Sequence, residues 1–215
     1  MRMGTPRAAG ARVWAAAVVC VAMIAGAGCK GKYETEVREF ATEVCVRTAR
    51  TQIGMKPSLL MTMSLLETLP QSMKTAGGIT GSEIDVSAYE ALAAEWKELK
   101  TLPLYGPKAD EEVAAILRTT GLAAPERDAK IAAALGETDW WKNGCAKELP
   151  AIYQKCAVEH GFKTPAFLTC LDPDELTSTM AKWSPFLSRY ERELKPRLTA
   201  MGLFPELTGQ GEKRR

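Results

Sequence analysis

Four of the six cysteines (Cys45, Cys145, Cys156 and Cys170) and the single histidine are the residue types that most readily bind metal or form covalent cross-links. The stretch CAVEH places Cys156 and His160 four residues apart, which is one face of a helix. Together with Cys145 or Cys170, they would make a thiolate-rich zinc site. In an oxidising compartment the cysteines would instead form disulfides, and His160 would lie at a helix end. The compartment therefore decides which chemistry the sequence predicts.

A methionine-rich stretch is the second candidate for metal chemistry. Met55, Met61, Met63 and Met73 lie close together in the sequence, and thioether clusters bind Cu(I). Met61 and Met63 are two positions apart, however, so they would point to different faces of a helix. Core filling by flexible apolar side chains explains the pattern better, and we predict no bound metal or cofactor.

Residues for hydrolytic catalysis are sparse. The sequence has no G-x-S-x-G motif, and any Ser or Cys nucleophile would have only His160 as an imidazole base. The acidic pairs Asp172 with Asp174 and Glu111 with Glu112 are typical of first-turn helix charges. Nothing singles out two of the 26 acidic residues for glycosidase chemistry. We therefore predict that the protein is not an enzyme.

Large aromatic residues in the C-terminal half permit two interpretations. They would line a ligand or peptide groove, or they would form an aromatic core between two long helices, and the second interpretation is favoured. The residues concerned are Trp140, Trp141, Tyr153, Trp183 and Tyr190.

The N-terminus has the features of a secretory signal. Three arginines and no acidic residue precede an apolar run over 13–27. This run is shorter than the roughly 20 residues that span a bilayer, and its length is typical of the apolar part of a signal peptide. Small residues over 26–28 lead directly to Cys29.

This arrangement resembles the signal of bacterial lipoproteins, in which the segment before a cysteine is removed and that cysteine carries lipid. The resemblance covers about 29 residues and implies lipidation of Cys29. Several acyl chains on one residue would anchor the protein stably to a membrane. An Asp directly after the lipidated cysteine would resemble an inner-membrane retention signal. This chain has Lys30 at that position, so the outer membrane, facing the periplasm, is the favoured location.

The oxidising location inferred from Cys29 predicts two disulfides among the four cysteines that follow it in the sequence, which are Cys45, Cys145, Cys156 and Cys170. Cys145 and Cys156 lie 11 residues apart on one predicted helix, which corresponds to about 16 Å and is too far for a disulfide. A turn at Gly161 between antiparallel helices would bring Cys156 next to Cys170. We therefore predict the pairs Cys156–Cys170 and, by elimination, Cys45–Cys145.

Length and charge indicate one domain that does not bind nucleic acid. Residues 1–28 are the predicted signal, 29–34 the lipidated cysteine and a short tether, 35–205 a helical domain, and 206–215 a flexible basic tail. The chain has 28 Lys and Arg against 26 Asp and Glu, and three of the Arg lie in the signal. The rest of the chain is thus close to neutral. It lacks the excess of positive charge with which proteins bind the phosphate backbone of nucleic acids.

Apolar residues recur at helical spacing along almost the whole domain, and no stretch alternates as a strand would. We predict an all-α, disulfide-stapled bundle of about five to seven helices. Pro57 is expected in the first turn of a second helix, Pro70 to end or bend it, and the glycine-rich stretch 75–83 to form a loop. Helix N-termini are predicted at Ser87 (in a capping box with Glu90), Asp110, Thr138, Thr164 and Asp172.

The expected role is a non-enzymatic binding or structural module of the cell envelope, held by lipid on Cys29 and serving a protein partner. Three alternatives remain open. One is a carrier of zinc, copper or a small ligand that uses His160 or the methionines. A second is an immunity or inhibitor protein, and a less favoured third is a cell-wall enzyme.

Overall fold

A computed structural model describes residues 31–81 and 84–203. The predicted signal, the predicted lipidation site Cys29 and the predicted tail 206–215 lie outside this range. All regular secondary structure in the described residues is helical, and two disulfides join the helices. The predicted disulfide-stapled all-α fold is therefore confirmed.

Ten α-helices lie in the described residues, and two stretches of π-helix adjoin them. The π-helical stretches are Trp140–Glu148, which runs directly into the α-helix Leu149–His160, and Tyr190–Leu194, which lies between the α-helices Pro185–Arg189 and Lys195–Ala200. The α-helices are α1 Glu34–Met63, α2 Leu65–Thr80, α3 Ser87–Leu99, α4 Pro107–Arg118, α5 Ala124–Leu135, α6 Leu149–His160, α7 Pro165–Cys170, α8 Pro173–Lys182, α9 Pro185–Arg189 and α10 Lys195–Ala200.

The long helix α1 organises the core. Its buried positions recur at helical spacing and include Val37, Ala41, Cys45, Ala49 and Ile53. Helices α4, α5 and α6 and the π-helical stretch before α6 all pack against α1. Most of the buried apolar side chains among the described residues form one continuous cluster.

A helix start at Pro57, a helix end at Pro70 and a loop over 75–80 were predicted in the N-terminal half, and these predictions are wrong. Pro57 lies inside α1 and Pro70 inside α2, and the glycine-rich stretch continues α2 as far as Thr80. Burial explains the continuation, because Pro70 and Gly77 lie on the side of α2 that is covered in the fold. Gly81 ends the helix with a φ of 70°, a left-handed conformation that favours glycine.

Two of the predicted caps are also corrected. Helix α3 begins without a side-chain cap; the Asp85 carboxylate accepts a hydrogen bond from Ser87 N at 2.9 Å, and Glu90 pairs with Lys74 instead. Hydrogen bonds from the backbone and hydroxyl of Ser87 lower the pKa of Asp85. The Asp110 carboxylate accepts from the backbone N–H groups of Leu104 and Tyr105 and so holds the loop before α4.

The remaining caps agree with the sequence. Thr164 accepts from Phe167 N at 3.1 Å, and Asp172 accepts from Asp174 N at 2.9 Å. Thr138 accepts from Trp141 N at 3.2 Å at the start of the π-helical stretch. Ser184 adds a cap that the sequence did not predict, because its side chain accepts a hydrogen bond from Leu187 N and starts α9.

Candidate functional site

The four cysteines form the two predicted disulfides. Cys45 of α1 is joined to Cys145 of the π-helical stretch, with their Cα atoms 6.0 Å apart. Cys156 of α6 is joined to Cys170 at the end of α7, with a Cα–Cα distance of 5.9 Å. The turn with Gly161 lies between the second pair, at a φ of 82°. All four cysteine sulfur atoms are thus in disulfide bonds and are not free to bind a metal ion as thiolates.

The other metal candidates do not come together. Within the described residues no group of three or more His, Cys, Asp or Glu side chains could hold a metal ion. His160 is exposed at the end of α6 and lies 3.7 Å from a carboxylate oxygen of its neighbour Glu159. Met63 is fully buried, whereas Met61 is 72% exposed, as expected for different faces of one helix.

The aromatic residues lie in or against the core. Trp140 is fully buried, and its indole N–H donates to the backbone carbonyl of Met180 at 2.8 Å. Trp183 packs beside Gly144, where a β-carbon would lie only 3.1 Å from its ring. Tyr153 is also buried, which raises its pKa to about 12. The side chains of Trp140, Tyr153 and Tyr190 thus belong to the core, and those of Trp141 and Trp183 pack against it.

A shallow apolar groove lies between α1 and the C-terminal helices. One part, of about 280 Å³, is lined by residues that include Val44 and Met180. The adjoining part, of about 230 Å³, is lined by residues that include Met55 and Phe186. Pockets for drug-sized ligands usually enclose about 300–1,000 Å³, so each part is small for such a ligand.

The most unusual surface is the outward side of α2 and the end of α1. Exposed residues follow one another there at alternating intervals of four and three residues. We call this line the α2 seam; it consists of Met61, Leu65, Thr68, Ser72, Thr75 and Ile79. Its large apolar members are strongly exposed, at 72% for Met61, 59% for Leu65 and 83% for Ile79.

The α2 seam contains no charged side chain. Between Lys56 and Glu83 the sequence has only two charged residues, Glu67 and Lys74. Both are turned toward the α3 side of α2: Glu67 pairs with Lys100, just after α3, and Lys74 pairs with Glu90 of α3 at 2.6 Å. Exposed helix faces usually carry charge, so the charge-free seam needs an explanation beyond the fold.

The hydroxyl groups along this segment donate hydrogen bonds to the helix backbone. Thr62, Thr68, Ser72 and Thr75 each donate a hydrogen bond to a backbone carbonyl three or four residues earlier, at 2.9–3.1 Å. A hydroxyl bonded in this way has already satisfied its donor. The polar members of the seam can therefore be covered by an apolar surface at little cost in lost hydrogen bonds.

Helix α3 covers the opposite side of α2. The buried residues of α2 are Leu66, Pro70 and Gly77, and those of α3 include Leu92 and Trp96. The two helices form a hairpin, since their contacts are the most extensive between any two helices described. Helix α2 is thus held firmly from one side, and its seam is presented outward.

Sequence reasoning missed the α2 seam because it predicted a loop over 75–83. Two signals in the sequence would have found it. One is the near absence of charge between Lys56 and Glu83, and the other is the regular four-three spacing of the seam residues.

Comparisons with known protein families, with curated proteins and with solved structures found no match to this chain. Among the described residues no helix is both long and apolar enough to cross a membrane.

Proposed function

We propose that the protein is a non-enzymatic binding module of the bacterial envelope, anchored by lipid on Cys29, that binds a protein partner through the α2 seam. The charge-free, partly apolar seam is the observation that carries the proposal. An exposed stripe of this kind on a well-packed domain marks an interaction surface rather than a solvated face.

The length of α1 is consistent with a binding surface that lies well away from the proposed lipid anchor on Cys29. Helix α1 has 30 residues, which corresponds to about 45 Å at 1.5 Å per residue. Glu34 lies at the end nearer Cys29, and Met61 of the seam lies near the other end. An anchored molecule would thus carry its binding surface some distance from the modified cysteine.

The disulfides support an oxidising location. Both pairs have Cα–Cα distances within the normal disulfide range, and such bonds are typical of secreted and periplasmic proteins. Together with the lipoprotein-type signal, they favour the periplasmic side of the envelope. The absence of an Asp at position 30 favours the outer membrane.

Two measurements test the anchor and the binding surface separately. A clickable fatty-acid probe should label the wild-type protein and should not label the Cys29→Ser variant, which should remain as a larger precursor. Undiminished labelling of that variant would refute the anchor.

The binding surface is tested by a photo-crosslinking amino acid in place of Ile79, with the same amino acid in place of Val158 as the matched control. Ile79 and Val158 are both strongly exposed, at 83% and 60%, but only Ile79 belongs to the seam. We expect a discrete adduct in intact envelopes from position 79 and none from position 158. Equal adducts or no adduct from both positions would refute the seam as the binding surface.

A further inference from the structure

We propose that the end of the domain nearest Cys29 is a membrane-contacting surface that lies on phospholipid headgroups. The surface consists of Lys32 and Tyr33 before α1 and of Phe162 and Lys163 in the turn between α6 and α7, and we call it the basal surface. This inference rests on the proposed lipid anchor, and it adds how the domain is oriented on the membrane.

The chain just before α1 makes the basal surface the part of the domain nearest the proposed anchor. Gly31 follows Cys29 by two residues, so their Cα atoms lie at most about 8 Å apart. The next residue, Lys32, is held against the domain, because the side-chain amide of Gln154 in α6 donates a hydrogen bond to its carbonyl at 2.7 Å. Lipid on Cys29 would therefore bring Lys32 and its neighbours to the headgroup layer.

The turn between α6 and α7 lies beside the start of α1. The rings of Tyr33 and Phe162 have centroids 6.1 Å apart, and the ring of Phe162 lies 5.8 Å from that of Phe40 in α1. Tyr33 and Phe162 are only half-buried, so part of each residue stays exposed. Partly exposed aromatic residues are typical of the zone where a membrane protein meets the headgroups.

The two lysines of the basal surface are exposed, and their ammonium groups lie over aromatic rings. The Lys32 ammonium lies 4.9 Å from the centre of the Tyr33 ring, and the Lys163 ammonium lies 5.2 Å from the centre of the Phe162 ring. An ammonium group has three donors, and contact with a ring face leaves donors for an external acceptor. The phosphate oxygens of phospholipid headgroups are suitable acceptors, which lysine reaches while its apolar stem stays on the protein.

The backbone at Lys163 indicates a role for its side chain. Its φ of 60° is left-handed, a conformation that glycine or asparagine adopts at lower cost. Tyr33 has a φ of 71°, and these two are the non-glycine residues with a positive φ in the described part of the chain. Such conformations are concentrated at functional positions. Both of them thus lie on the basal surface.

The charges around the basal surface permit contact with phospholipid. Glu34 pairs with Arg38 at 2.7 Å, and Glu159 lies 3.7 Å from His160, so both of these carboxylates have basic neighbours. Glu36 is exposed in the first turn of α1 and balances part of the lysine charge. The proposed lipid anchor therefore supplies the attachment, and the lysines and aromatic residues decide which side of the domain meets the headgroups.

Lysine acetylation of the protein tethered to vesicles tests the proposal. In the chain from Cys29 to Arg215, Cys29 is the one cysteine outside the disulfides, so a phospholipid that carries a maleimide group couples there. Vesicles of phosphatidylethanolamine and phosphatidylglycerol hold the tethered protein. The control is the same chain with Cys29 capped by N-ethylmaleimide, beside the same vesicles. A water-soluble acetylating reagent and mass spectrometry then measure the reactivity of each lysine.

Lys108 is the matched control residue within the same molecule. Its side chain is 90% exposed in the first turn of α4. Asp110 of the same turn lies 3.5 Å from the ammonium group of Lys56, which is in the C-terminal half of α1. At 1.5 Å per residue, Lys56 lies about 33 Å from the first residue of α1. Lys108 is therefore far from the basal surface.

Tethering should lower the acetylation of Lys32 and Lys163 several-fold and leave that of Lys108 unchanged. Any other pattern would overturn the proposal: equal protection of all three lysines means no preferred orientation, and protection of Lys32 alone means that the turn does not reach the headgroups. The chemical tether replaces the natural lipid, so a failure here refutes the orientation. A failure of the fatty-acid labelling test refutes the anchor instead.

The Lys163→Gly variant separates the role of the side chain from that of the backbone. Glycine suits the left-handed turn, so thermal unfolding should show a protein as stable as the wild type. The protection of Lys32 by tethering should nevertheless fall at least about twofold, because one lysine contact with the phospholipid surface is lost. Lys108→Gln is the matched control and should leave that protection unchanged. Unchanged protection of Lys32 in Lys163→Gly would overturn Lys163 as a headgroup contact.

Discussion

Cys45 and Cys145 are 100 residues apart in the sequence, and their Cα atoms lie 6.0 Å apart. Their bond joins the N-terminal helix α1 to the π-helical stretch in the middle of the chain. Because the buried face of α1 packs against α4, α5 and α6, this bond holds together the elements that form the core. It thereby fixes the helix whose far end leads into the α2 seam.

Removal of the two disulfides should have unequal effects on stability. The Cys45–Cys145 bond closes a loop of 100 residues and the Cys156–Cys170 bond one of 14. Chain entropy gives about 4.7 kcal/mol for the longer loop and about 3 kcal/mol for the shorter. Paired substitution by alanine and urea unfolding should show the larger loss for Cys45 with Cys145. A larger loss of stability from removing Cys156–Cys170 would contradict the expectation that the Cys45–Cys145 bond contributes more to stability.

The two glycines near the end of α2 should respond oppositely to alanine. Gly78 lies inside the helix with open space around its missing β-carbon, so Gly78→Ala should raise the free energy of unfolding by about 0.5–1 kcal/mol. Gly81 has a φ of 70°, which alanine adopts only with strain, so Gly81→Ala should lower it. Thermal unfolding of the two variants measures both effects. If both alanine substitutions stabilised the protein, the left-handed helix end at Gly81 would be contradicted.

Alkaline pH should destabilise the fold through buried tyrosines. Burial raises the pKa of Tyr153 from its ordinary value of 10 to about 12, and burial with nearby Asp110 raises that of Tyr105 well above 10. The folded protein then keeps a proton that the unfolded chain loses. The resulting stability is complete below pH 10 and is lost as the pH rises toward 12. Between pH 10 and 12 the free energy of unfolding should fall less steeply for the Tyr153→Phe variant than for the wild-type protein. An equal slope for the two proteins would refute the raised pKa of Tyr153.

The adjacent tryptophans Trp140 and Trp141 should differ in their sensitivity to substitution. Trp140→Phe removes the buried hydrogen bond to the carbonyl of Met180 and should cost about 1–3 kcal/mol beyond the lost packing. Trp141 is only half-buried, so Trp141→Phe should cost less. Denaturant unfolding of the two variants measures the difference. Equal losses would show that the indole hydrogen bond contributes nothing measurable.

The helical class and the Cys156–Cys170 pair were predictable because both follow from short-range geometry, and the Cys45–Cys145 pair followed by elimination. The 11-residue spacing of Cys145 and Cys156 along one helical rod excludes their pairing, and Gly161 provides the turn that brings Cys156 to Cys170. The course of α2 was not predictable from propensity, because burial of Pro70 and Gly77 outweighs their tendency to break a helix. The α2 seam was missed for the same reason, since it exists only if Leu65 to Ile79 form one helix.

Oxidative labelling of two methionines tests the central claim, that the α2 seam is covered when the protein is in its native envelope. Met61 lies on the seam and Met55 lies outside it, and they are 72% and 62% exposed in the free chain. In dilute purified protein, brief oxidation should convert both to the sulfoxide to a similar extent. In intact envelopes with Cys29 present, we predict that Met61 is protected several-fold relative to Met55. Equal oxidation of the two methionines in the envelope would contradict the proposal.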